Sequence, residues 1–197
     1  MLINKKEINI KKVICLLIYY SIAYYLPQSG RLKNIGGVVR LCLCKRIFKK
    51  CGSHVNIERR AWFGSGANVE IGDYSGIGIN CHVPSDTVIG KYVMMGPNCF
   101  ILHVNHKVSD TTKPMCFQGH MERKTTIIED DVWIGRDVKM TPGRHIYKGS
   151  IIAMGCVLTK DFPEYSIVGG NPSRLLRSRL VSAASSEPIQ SFSKEQG

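Results

Sequence analysis

Residues 71–101 read IGDYSGIGINCHVPSDTVIGKYVMMGPNCFI, and within them Ile71, Ile77, Val83, Ile89, Met95 and Ile101 recur at intervals of six without exception. Neither an α-helix, with its period of 3.6, nor a flat strand, with its period of 2, produces that spacing. A triangular parallel β-helix does. Each hexapeptide forms one short side, three make a turn, and the aliphatic residue points inward. Ser75, Cys81, Thr87, Val93 and Cys99 stand four beyond each aliphatic residue, where the inward space takes only small or β-branched side chains. Gly72, Gly78, Gly90 and Gly96 follow the aliphatic positions directly. They, with Asn80 and Asn98, suit corners that need unusual backbone torsions.

The rule returns in residues 128–158, where Ile128, Ile134, Met140, Ile146, Ile152 and Leu158 keep the period and Val132, Val138, Ser150 and Cys156 fill the small positions. Equivalent residues stacked turn on turn build one continuous core. The expected fold is therefore an all-β solenoid, a left-handed parallel β-helix of hexapeptide repeats over residues 51–178. Upstream, VNIERRAWFGSGANVE (55–70) reads as a degenerate first turn. Downstream, FPEYSIVGGNPSRLLRSR (162–179) reads as a short closing segment of strand and helix, and residues 179–197 have the polar, Ser-rich make-up of a disordered tail.

The two runs are out of phase, because Ile128 lies 27 residues after Ile101. Residues 107–127 are thus an inserted loop, and long excursions from a rigid scaffold are where binding and catalysis concentrate. The loop begins directly after His106. An imidazole titrating near neutrality is suited to taking the proton of an attacking hydroxyl and returning it to a leaving group. The other reading of His106 is a solvated corner residue. Asp110 is placed to orient the imidazole, His103 belongs to a side of the prism, and His120 in the loop is a second candidate for contact with substrate.

Residues 1–50 read as a helical segment ended by Pro27 and resumed after a Gly36–Gly37 break. Terminal units of repeat proteins must cover an open core, so this segment reads as a cap. Its apolar run, VICLLIYYSIAYYL, has 14 residues, fewer than the roughly 20 needed to span a bilayer. Lysines and arginines flanking apolar aromatics also fit peripheral docking on an anionic membrane surface. The formal net charge is +12, but the cations follow no nucleic-acid motif, so no nucleic-acid partner is expected. Eight cysteines without paired CxxC spacing fit reduced thiols and a cytoplasmic protein, peripheral to the inner membrane face where the cap touches it.

Three segments, NHKVSDTTKPMCFQG, EDDVWIG and VLTKDFPEYSIVGGNPSRLLR, occur in that order, and with the repeats they resemble the hexapeptide-repeat O-acetyltransferases. That family includes maltose, galactoside and polysaccharide-modifying enzymes. The resemblance implies a homotrimer that moves acetyl from acetyl-CoA to a hydroxyl of a sugar or surface-polysaccharide precursor, with His106 as general base and no metal. It implies CoA contacts at Gly135, Arg136, Met154, Thr159, Lys160 and Arg177, and acceptor contacts at Asn80, Asp86 and Asn105. The chain departs from the family pattern at Arg136, at Met154 and in RHIYKG (144–149). Serine or amino-sugar acetylation, and a non-catalytic or carbonic-anhydrase-like β-helix drawing on His103, His106 and His120, are the alternatives.

Overall fold

The computed structural model describes residues 10–27 and 35–180. Most of the expected tail lies outside them. The period of six becomes a three-sided left-handed solenoid. One face is built from Lys50–Cys51, Glu70–Ile71, Val88–Ile89, Ile127–Ile128 and His145–Ile146. A second carries Asn56–Ile57, Gly76–Ile77, Met94–Met95, Trp133–Ile134, Ile151–Ile152 and Ser166–Gly169, and the third Phe100–Ile101, Lys139–Met140 and Val157–Leu158. Trp62 and His82 extend the third face by single parallel bridges.

Pairing is parallel and in register: Ile71 lies beside Ile89 and Ile134 beside Ile152, three hexapeptides on. Every aliphatic position of both runs is buried, and so are Ser75, Cys81, Thr87, Val93, Cys99 and their counterparts. The left-handed torsion falls three residues after the aliphatic one, at Asn80, Asn98 and Asp137. Glycine directly after it has a different cause. A Cβ on Gly78 would lie 2.5 Å from the carbonyl oxygens of Met95 and Gly96, so the turns stack too closely there for a side chain.

The first turn is longer, since Ile57 pairs with Ile77, twenty residues on rather than eighteen. The two extra residues fall in the Gly64–Gly66 corner, where both glycines take positive φ. At the other end, among the described residues, the expected closing helix does not form. Ser166–Gly169 pairs antiparallel with Arg174–Ser178 in a hairpin. Arg179, assigned to the tail by composition, is anchored too: its backbone N–H donates to the Tyr165 carbonyl, and its guanidinium reaches the carbonyl of Gly149.

Helix α1 (Ile10–Ile18) runs into a π-helical turn (Tyr19–Ala23), and helix α2 (Ile35–Ile47) follows. The glycine pair lies inside α2, not before it. A Cβ on Gly36 would stand 2.5 Å from the Pro27 carbonyl, so the glycine permits close packing. Tyr19, Ala23, Cys44, Ile47 and Phe48 join the same core as Ile57 and Phe63. Tyr19 donates to the Ala61 carbonyl at 2.7 Å, and Tyr20 to that of Gly64 at 2.9 Å. Burial raises the pKa of both hydroxyls, that of Tyr20 to about 12. Fully buried Arg40 clamps the cap to the solenoid, its Nε donating to the Ile57 carbonyl at 2.7 Å and its Nη1 to those of Ala23 and Leu26.

Candidate active site

The excursion leaves the corner between the third and first faces as a hairpin with a narrow neck. Met121 N–H donates to the Asn105 carbonyl at 2.8 Å, and Lys107 N–H to that of Gly119 at 3.0 Å. His106 therefore stands opposite His120 across an antiparallel bridge, ring centroids 4.5 Å apart and planes 35° apart. His106 faces outward as expected, but from the neck rather than from a solenoid corner. Ile127 already belongs to the next strand, so the excursion ends at Thr126.

Asp110 does not orient His106. Its carboxylate accepts hydrogen bonds from the Thr112 N–H at 3.0 Å and hydroxyl at 2.6 Å, which hold its pKa below the ordinary carboxylate value. Gln118 donates to the carbonyls of Asp110 and Lys113 and accepts from the Asp110 N–H. A short polar side chain bonding its own backbone two residues on is turn chemistry, and here it folds the tip of the excursion.

Beside the neck opens a groove of about 310 Å³ lined by Asn105, Met121, Lys124, Thr141, Arg144 and Thr159, among others. Two expected site residues, Asn105 and Thr159, thus line one groove, Asn105 directly preceding His106 in the chain. Arg144 donates from Nη1 to the Thr159 carbonyl at 3.0 Å and pairs with Asp161 at 3.2 Å. Sequence reasoning did not single out Lys124 or Arg144 as site residues; the irregular RHIYKG turn was the available signal for Arg144. Asp86 lies on the same corner one turn earlier, 3.7 Å from His103. The Glu122 carboxylate, the Thr141 and Thr159 hydroxyls, the Asn105 amide and the Lys124 and Arg144 cations thus line one opening, a set able to bind a polyhydroxylated molecule and an anionic one side by side.

Residues 68–103 match the family model described as bacterial transferase hexapeptide (six repeats). The galactoside O-acetyltransferase of Lactococcus lactis is 32% identical over 139 residues, covering 68% of this chain and 65% of that protein. That of Escherichia coli is 30% identical over 140 residues, covering 70% of this chain and 68% of that protein. The match therefore spans about two thirds of each relative. A solved hexapeptide-repeat acetyltransferase of Vibrio cholerae superposes with a TM-score of 0.69 at 27% identity, over 89% of this chain and 94% of that one. A galactoside acetyltransferase solved in complex with coenzyme A gives 0.70 at 26%, over 85% and 80%.

This chain belongs to the hexapeptide-repeat acetyltransferases.

In this hexapeptide-repeat acetyltransferase the remaining expected contacts are spread over two corners and the closing hairpin. Gly135, Arg136 and the exposed Met154 lie on the corner between the second and third faces, with Gly155 N–H donating to the Arg136 carbonyl. Asn80 is on that corner too, donating to Asn98 at 3.1 Å in a ladder of corner amides. Thr159 and Lys160 lie on the corner of the excursion, where Lys160 sits 5.5 Å from the Phe162 ring centroid. Arg177 is on the closing hairpin beside Ile167.

The other histidines serve the surface of the acetyltransferase fold. His82 is stacked between Trp62 and Phe100 at 3.9 and 4.4 Å, and burial lowers its pKa. His54 stacks on Tyr74, and His145 Nε2 lies 2.7 Å from Glu129. Among the described residues, no group of three or more His, Cys, Asp or Glu is arranged to hold a metal ion.

Proposed function

We propose that this protein transfers acetyl from acetyl-CoA to a hydroxyl of a sugar or sugar-containing glycan precursor, acting as a homotrimer. His106 takes the proton of the acceptor hydroxyl as its oxygen attacks the thioester carbonyl. A C–O bond forms, the C–S bond breaks, and the proton passes to the departing thiolate, so no covalent enzyme intermediate is needed.

One observation carries this reading: His106, exposed at the neck of the excursion, directly follows Asn105, which lines a groove together with Lys124, Arg144 and Thr159. Asn105, with Asp86 and Asn80, supplies hydrogen bonds for the acceptor. Thr159, Lys160 and Arg177 are assigned to the donor, whose phosphates suit the cations. Gly135, Arg136 and Met154 lie on a different corner of the same chain. A donor lying between two copies would meet one corner from each, and this favours the trimer. The relatives' names support the O-acetyl chemistry and the coenzyme A complex supports the donor.

Thiol release from acetyl-CoA, measured with a panel of galactosides, maltose, glycan precursors, serine and amino sugars, tests the proposal. Turnover with sugar hydroxyls is expected. Turnover confined to serine or to amines, or none with any acceptor, overturns it.

A further inference from the structure

Helix α1 and its π-helical turn bury one side and leave the other uncovered. Tyr19 and Ala23 are buried in the core, with Cys15, Leu16, Tyr20 and Tyr24 packed against it. Ile10, Val13, Ile14, Leu17, Ile18, Ile22 and Tyr25 point away, Ile10 being 70% and Leu17 65% exposed. Ile10, Ile14, Ile18, Ile22 and Tyr25 follow one another at spacings of four, four, four and three, and Val13 and Leu17 flank them four apart, so the seven form a single stripe on one helical face. Single exposed aliphatics are ordinary on a protein surface, but a contiguous row of seven marks a surface that meets something.

The charge around the stripe says what. Between Ile8 and Ile57 the sequence holds nine Lys and Arg, Arg40 buried among them and Lys49 paired with Glu70, and no Asp or Glu, although the chain as a whole carries 15 acids. Lys11 is exposed on α1, and Lys45 and Arg46 are exposed in the last turn of α2. An apolar stripe in a cation-rich, acid-free segment complements a bilayer with anionic headgroups. Among the described residues no helix is long and apolar enough to cross a membrane. The 14 residues from Ile10 to Ala23 reach about 21 Å against a hydrocarbon core of roughly 30 Å, so the helix lies along the surface.

We propose that the outward stripe of α1 docks on an anionic lipid bilayer, parallel to its plane, and holds the solenoid against it. The stripe is built on the cap and shares no residue with the His106 groove, so docking and acetyl transfer are separable.

The test is sedimentation of the full chain with vesicles of phosphatidylcholine, with and without phosphatidylglycerol. The protein should pellet with the mixed vesicles and at least about tenfold less with phosphatidylcholine alone, with binding falling as salt rises. Leu17→Glu and Ile14→Glu, at exposed positions, should abolish pelleting while circular dichroism and gel-filtration elution stay unchanged. Lys45→Gln and Arg46→Gln should each weaken binding about fivefold. Equal binding to neutral and anionic vesicles, or no binding, overturns the proposal. So does a change in oligomeric state with Leu17→Glu that leaves vesicle binding intact, since the stripe then meets a second copy of the chain.

Discussion

From Ile71 to Ile101 every sixth side chain is buried in the solenoid, whereas from Asn105 to Thr125 no residue is buried at all. The two regions adjoin, yet they are held by different forces. The turns rest on apolar stacking and in-register backbone pairing. The excursion rests on two backbone hydrogen bonds at its neck and the polar turn around Asp110 and Gln118. A polar-held hairpin adds little to the stability of a stacked core, so the protein can vary it at small cost. The imidazoles of His106 and His120 stand exposed on it.

The comparison breaks most sharply by deletion. Removing residues 106–126 brings Ile128 to six residues after Ile101 and restores the period. Transfer should then fall to background, while the melting temperature moves by only a few degrees. Collapse of the fold would show that the excursion stabilises the turns.

Ile134→Ala should do the reverse. The side chain is fully buried, and a cavity there costs about 2–5 kcal/mol. Urea denaturation should report that loss, with turnover per folded molecule preserved. A smaller deficit is expected for Arg40→Met, which leaves the buried carbonyls of Ile57, Ala23 and Leu26 without its hydrogen bonds. At about 1–3 kcal/mol it should lower the unfolding midpoint without touching transfer.

The smallest effect concerns pH. The pKa values of Tyr19 and Tyr20 are raised in the folded protein, so the stability they confer is complete below their unfolded value of about 10. That stability is lost as the pH rises beyond it. Absorbance titration should show these two tyrosines resisting ionisation where exposed ones titrate, and Tyr20→Phe should remove part of the alkaline sensitivity.

The regular turns were legible in the sequence because one geometric rule repeats there. A side chain every six residues must point inward, and all twelve aliphatic positions do. The interruption was legible as a break in phase. The course of the excursion was not, because its tip is folded by hydrogen bonds that Gln118 donates and the Asp110 carboxylate accepts, which leave no periodic trace. Asp110 therefore read as a partner for His106, although it bonds Thr112. His120 read only as a loop histidine, although the neck sets it against His106. The first turn escaped exact registration because its two extra residues lie in a glycine corner without an aliphatic marker. Arg40 read as one of many cations; only the packing of the cap on the first turn shows it buried and donating to backbone carbonyls.

The most direct test of the account is kcat for His106→Ala at saturating acetyl-CoA and acceptor, alongside donor affinity by calorimetry. A general base at this position predicts a fall of about 10²–10⁴-fold in kcat with the donor affinity and melting temperature unchanged. A variant that turns over at the wild-type rate would contradict it.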